Sequence, residues 1–126
     1  MSQDTIFTKI INREIPAYIA YETDNHIAFA DISPRAVGHL LVVPKTPYRW
    51  FTDMPEIEFS QLMAAAHKVS NKLLLATGAE FIHVGIEGVD VPHVHVHLMP
   101  RITGDSIAEE QEFNEARTKE IIASMQ

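Results

Sequence analysis

Three histidines at alternate positions, His93, His95 and His97, form the stretch of the chain whose residue types and spacing point to chemistry. They lie in the run His93-Val94-His95-Val96-His97-Leu98-Met99-Pro100. In an extended strand successive side chains point to opposite faces. Such a strand presses Val94, Val96 and Leu98 into a core and lines its other face with three imidazoles. Histidine is neither a preferred core residue nor a typical strand former, so a purely structural face of this kind is unusual.

Two chemistries suit it. His-x-His on a strand presents two nitrogens to one ion, and zinc takes imidazole readily. A catalytic zinc site needs three protein ligands and a water. Cysteine is absent, and no second histidine-rich or carboxylate cluster stands at obvious ligand spacing. The other chemistry is nucleophilic: a neutral imidazole attacks phosphorus while neighbouring imidazoles stabilise charge on the phosphoryl oxygens. The ordinary histidine pKa of about 6.5 makes neutral and charged forms accessible together near neutrality.

The remaining chain supplies elements to position this strand. Asp4 or Thr5 caps a short helix over Ile6–Ile11, stopped before Pro16. Tyr18–Glu22 and Ile27–Asp31 read as strands joined by a tight turn at Asp24-Asn25, and His39–Pro44 as a third. Asp53 and Glu56 have capping-box spacing before a long helix, with Pro55 in its first turn. That helix carries an apolar stripe including Ile57, Phe59, Leu62, Met63, Ala66, Val69, Leu73 and Leu74, and ends at Gly78. Phe81–Ile86 is a fourth strand, Glu87–Pro92 a loop, and the histidine run the fifth strand. A polar tract then leads into a last amphipathic helix with Ile121 and Ile122. His26 and His67 read as structural or solvated, and His83 is not assigned to the site. The expected fold is α+β, an antiparallel sheet with helices packed on it.

The length of 126 residues with 46% hydrophobic content supports one core, so residues 1–126 are read as one domain. Residues from about 105 to 126 form its C-terminal helical extension. No apolar run approaches the ~20 residues of a membrane span, and Met1–Thr5 lacks a secretory pattern. The cytoplasm is the default expectation. A net charge of −7 disfavours general nucleic-acid binding, which needs a basic footprint. A small phosphate remains acceptable where positive groups converge.

The run His93–Met99 resembles the motif of the histidine triad (HIT) superfamily: His, apolar, His, apolar, His, then two apolar residues. Thr5-Ile6-Phe7, Lys9-Ile10-Ile11 and Glu14-Ile15-Pro16 resemble the N-terminal segment of its Hint-like branch. Phe29–Pro34, Gly38-His39 and Val42-Val43-Pro44-Lys45 resemble that branch's second block. The resemblance runs in order over roughly residues 5 to 101.

It implies a five-stranded antiparallel sheet with one long helix, a short N-terminal helix and a C-terminal helix. It further implies hydrolase or transferase chemistry on nucleoside 5′-monophosphate derivatives, purine phosphoramidates among them. His95 would be the nucleophile, His97 would contact the phosphoryl oxygens, and His93 would orient His95 through the backbone. His39 would sit near the same phosphate. Asp31 would accept hydrogen bonds from the ribose hydroxyls, and Phe7, Ile10, Phe29 and Ile32 would form the slot for the base. The implied ligand is a purine nucleotide of the AMP or GMP type, and the implied assembly is a homodimer. No cofactor or catalytic metal is required, although zinc could settle adventitiously on the cluster.

Two segments depart from the family pattern, the C-terminus, which continues into a helix, and the loop before the motif, a combination that most resembles bacterial HIT proteins. Gly85–Pro92 is shorter, with Ile86 near the usual Asn position, and no Gln, Ser or Thr precedes His93. Side-chain donors to phosphate are thereby missing, and backbone N–H groups would have to replace them. Two alternatives follow: a nucleotide- or partner-binding module with vestigial catalysis, and a zinc-dependent hydrolase built on His95, His97 and His39.

Overall fold

The computed structural model describes residues 4–107 and 109–126. Met1–Gln3, part of the segment read as lacking a secretory pattern, lie outside the described residues. The described chain runs α1 (Ile6–Ile11), β1 (Ile19–Glu22), β2 (His26–Ala30), β3 (Leu40–Pro44), α2 (Glu56–Thr77), β4 (Phe81–Glu87), β5 (His95–Arg101) and α3 (Glu115–Ser124). The five strands form one antiparallel sheet in the order β1-β2-β3-β5-β4. This is the α+β architecture expected from the sequence, with three helices against one sheet.

The period-two alternation separates the two faces. Ala28, Ala30, Leu40, Val42, Val96 and Leu98 pack with Leu62, Ala66, Val69 and Leu73 of α2, and Ile121 joins them from α3. Each Val, Leu or Ile among them, fully removed from water, contributes roughly 1.5–3 kcal/mol. Ile27, Phe29, Leu41 and Val43 face the other way, under Phe7 and Ile10 of α1. Leu41 lies opposite His97 in the β3–β5 ladder, which puts that imidazole on the α1 side. The sheet thus has an α2 face that carries the main core, open only toward the β4 edge at Val84, and a second face only partly covered by α1.

Local signals act where expected, with corrections. Thr5 caps α1 through its side-chain oxygen, which accepts from the N–H groups of Phe7 and Thr8, and Thr8 completes a capping box. Gly78 ends α2 with a left-handed φ of 71°, and its N–H donates to the Leu74 carbonyl. The Asp53–Glu56 capping box does not form: Asp53 closes a 3-10 turn over Phe51–Asp53, and Pro55 takes the N-cap position without a side-chain bond. Ile57, in the first turn of α2, is exposed and does not join the buried stripe. The tract from 109 to 113 is not helical; α3 begins only after Asn114, whose side chain caps it. Among the described residues no helix is long and apolar enough to cross a membrane.

The β4–β5 connection is held against the segment preceding α2. Arg49 Nε donates to the Gly88 carbonyl at 3.0 Å, and its guanidinium stacks over Trp50 at 4.5 Å. A Cβ at Gly88 would lie 2.0 Å from the Arg49 carbonyl oxygen. Gly88→Ala is therefore expected to push the connection off its seat. The expected cost is about 1–3 kcal/mol, with a larger fall in activity than in fold content. Urea unfolding and turnover measured on the same preparation check this.

Candidate active site

Strand β5 carries two of the three motif imidazoles into a cleft of about 640 Å³ on the α1 side of the sheet. His95 Nδ1 lies 2.9 Å from the His93 carbonyl oxygen. A carbonyl only accepts, so Nδ1 carries the proton and Nε2 presents its lone pair. The ring stands edge-on to Phe7, with centroids 5.0 Å apart. Burial, opposed in part by the bond to His93, holds the His95 pKa below the ordinary value, with His97 adding to the lowering. At neutral pH His95 is an oriented, uncharged imidazole with its Nε2 lone pair free for bonding.

A chain of hydrogen bonds fixes the neighbouring imidazoles. The Arg35 backbone N–H donates to His39 Nδ1 at 3.0 Å, so neutral His39 bears its proton on Nε2. His39 Nε2 lies 2.9 Å from His97 Nδ1, and His97 Nε2 lies 2.9 Å from Glu87 Oε2. Donation therefore runs from Arg35 through His39 and His97 to the Glu87 carboxylate. His39 is buried, and its pKa is pushed down to about 3 by burial first and by the charges of His97, Arg35 and His95 second. It acts in this chain as a neutral relay.

The cleft's apolar end is built from Phe7, Ile10, Ile15, Phe29, Ile32 and Leu41. Phe7, Ile10 and Phe29 are core residues as well, whereas Ile32 is 65% exposed at the rim. Phe7 meets Phe29 edge-to-face at 5.4 Å. Asp31 stands between this slot and the imidazoles. One of its oxygens accepts from the Ser33 N–H at 2.8 Å, and the other lies 3.6 Å from His39 Nε2. Burial raises the Asp31 pKa. The Asp31 N–H bonds the His39 carbonyl across the end of the β2–β3 hairpin, which brings these residues together.

The expectation of three imidazoles side by side on one strand face needs correction at His93. Regular strand begins only at His95, because the segment through Pro92 bends and the His93 N–H turns back to the Val91 carbonyl. The His93 ring is fully buried beneath Phe7, with Nε2 2.7 Å from the Pro44 carbonyl oxygen, and does not line the cleft. His83 lies by Arg101, also outside the cleft.

Glu87 escaped the sequence reading, which left it in a loop. It is the last residue of β4, directly opposite His95 in the ladder. Cross-strand partners share a face, and Glu87 Oε2 comes within 4.0 Å of His95 Nε2. Carboxylates therefore do reach the imidazoles, contrary to the reading from spacing. Asp31, His39 and His97 form one set of donor atoms within 4.8 Å of one another, and Glu87, His95 and His97 form a second. Imidazole and carboxylate donors suit a zinc-class cation. In the second set such an ion would take the His95 Nε2 lone pair.

Comparison with known proteins agrees with this geometry. The family model described as "HIT domain" matches residues 12–104, which include β5 and the hairpin carrying Asp31 and His39. A HIT-like protein of Methanocaldococcus jannaschii is 42% identical over 104 residues, covering 79% of this chain and 81% of that one. A purine nucleoside phosphoramidase of Escherichia coli is 33% identical over 105 residues, covering 79% of this chain and 88% of its own. Among solved structures, a Hit-like protein of Bartonella henselae superposes with a TM-score of 0.89 at 30% identity, covering 99% of this chain and 96% of that one. A Zn-bound histidine triad family protein of Mycobacterium smegmatis gives a TM-score of 0.84 at 26% identity, covering 95% and 91%. Sequence, sheet order and imidazole geometry thus lead to one assignment: the chain belongs to the HIT family.

Proposed function

We propose that the protein hydrolyses nucleoside 5′-monophosphate derivatives, purine nucleoside phosphoramidates foremost, through a covalent nucleotidyl-histidine at His95. The observation that carries this reading is the bond from His95 Nδ1 to the His93 carbonyl, which leaves Nε2 unprotonated at the cleft. Nε2 attacks phosphorus, the P–N bond to the amine breaks, and the amine departs with a proton from solvent. Water then attacks phosphorus, the P–Nε2 bond breaks, and the nucleoside monophosphate leaves. His97 stabilises charge on the phosphoryl oxygens, and His39 holds its ring. His93 contributes its carbonyl. Asp31 accepts from the ribose hydroxyls, while Phe7, Ile10, Phe29 and Ile32 hold the base.

The name of the Escherichia coli relative supports the choice of leaving group. Incubation of the purified protein with adenosine 5′-phosphoramidate tests it: AMP and ammonia are expected in equal amounts. Binding of AMP without release would reject the hydrolase in favour of a binding module.

A homodimer belongs to the same reading. Strand β4 is an edge of the sheet, and Phe81 and Val84 on it are exposed. An unpaired edge with apolar side chains is a ready interface. Sedimentation is expected to give twice the chain mass, and Val84→Lys to shift the protein toward monomer.

A further inference from the structure

Among the described residues, Glu87 is a carboxylate beside both His95 and His97 to which the reaction above gives no task. Its Oε2 is 2.9 Å from His97 Nε2 and 4.0 Å from His95 Nε2, and its side chain is 49% exposed. A phosphorus under attack from His95 must approach Nε2 to roughly 3–3.5 Å. One of its oxygens must then reach the donors beside that nitrogen. The Glu87 carboxylate oxygen already stands there, hydrogen-bonded to His97 as a phosphoryl oxygen would be. The seat for the anion is held by an anion that belongs to the chain.

We propose that Glu87 is a charge-selecting residue of this site, favouring a phosphoryl group of low charge with a neutral or cationic leaving group. The inference rests on the reading of His95 as nucleophile. A ligand entering the seat either displaces the half-exposed carboxylate from His97 or accepts it as a neighbour. Both costs rise with the negative charge brought in. A phosphoramidate monoester carries one charge at phosphorus and releases an amine, whereas ADP brings a further phosphate and AMP itself is close to a dianion. Amidates of amines are therefore the favoured substrates, phosphoric anhydrides are disfavoured, and the AMP product is repelled. Gly85, opposite His97, fills none of the adjoining space, since a Cβ there would meet nothing within 4 Å. The carboxylate thus has room to swing aside.

The test is calorimetric binding of AMP, ADP and adenosine to the wild type, Glu87→Gln and Glu87→Asp. Glutamine keeps the size and the acceptor for His97 Nε2–H but removes the charge; aspartate keeps the charge. Two unit charges about 4 Å apart at a wet site correspond to roughly a 5-fold effect or more. Glu87→Gln is expected to tighten AMP by about that factor and ADP by at least as much, leaving adenosine unchanged. Glu87→Asp is expected to stay near the wild type. A carboxylate that only orients His97 would leave the AMP-to-adenosine affinity ratio unmoved, and that result overturns the proposal. Turnover of adenosine 5′-phosphoramidate separates the two readings. Turnover with an unmoved ratio rejects charge selection and keeps the hydrolase. A moved ratio without turnover rejects the hydrolase and keeps charge selection. No binding of any of the three ligands by any variant rejects both.

Discussion

His95→Ala is expected to lower turnover of adenosine 5′-phosphoramidate by on the order of 10⁴-fold or more, with the fold retained. Water at the same phosphorus lacks the oriented lone pair that His95 Nε2 supplies. His39, His97 and the apolar slot would still bind ligand. The expected signature is therefore a collapse of kcat with ligand affinity close to that of the wild type. The structural cost is modest by comparison. His95 is buried at the cleft wall, packed against Phe7, and its ring bonds a backbone carbonyl through Nδ1. His95→Gln is the companion variant: its amide refills part of the volume and offers an N–H, yet has no nucleophilic nitrogen. Both variants should melt within several degrees of the wild type while neither turns over. Activity within tenfold of the wild type in either one would remove His95 from the role of nucleophile.

What could be read in the sequence followed from how local each signal was. The alternation from Val94 to Leu98 needed only the period of a strand, and Val94, Val96 and Leu98 are fully buried as it implied. Thr5 and Gly78 are governed by their immediate neighbours and act at their helix ends as capping chemistry predicts. What spacing along the chain did not show has the opposite character. Glu87 meets His95 through the β4–β5 register, a pairing across a bent connection that spacing along the chain does not reveal. Asp31 reaches His39 because the β2–β3 hairpin closes with an Asp31–His39 backbone bond. His93 matched the pattern by type but sits where Pro92 and the turn to Val91 interrupt regular strand, so its ring is fully buried. At Asp53, a box that fits by spacing lost to a 3-10 turn and to Pro55 at the cap. Resemblance to the HIT family closed part of the gap. It pointed to Asp31 and His39, which spacing alone left unremarkable, but it offered no counterpart for Glu87.

The same buried imidazoles make the protein acid-sensitive. Burial is the first cause of the lowered pKa at His39, His93 and His95, and it takes His39 down to about 3. In the unfolded chain each of them takes up a proton near pH 6.5. Below that value the unfolded state binds more protons than the folded one, so stability is complete above it and falls as the pH drops toward the folded values. For His39 the window runs from about 6.5 to about 3. Its share is about 1.4 kcal/mol per pH unit, or about 2 kcal/mol at pH 5. Asp31 acts in the opposite direction, since burial raises its pKa and the folded state then holds its proton more tightly. It is a single carboxyl set against the three imidazoles. The urea midpoint is therefore expected to fall clearly between pH 7.5 and pH 5, and His39→Gln to remove part of that fall. A midpoint independent of pH would mean that the imidazoles take up protons inside the fold. It would equally remove the uncharged His95 that attack on phosphorus requires below neutrality, so stability and catalysis test one and the same electrostatic arrangement.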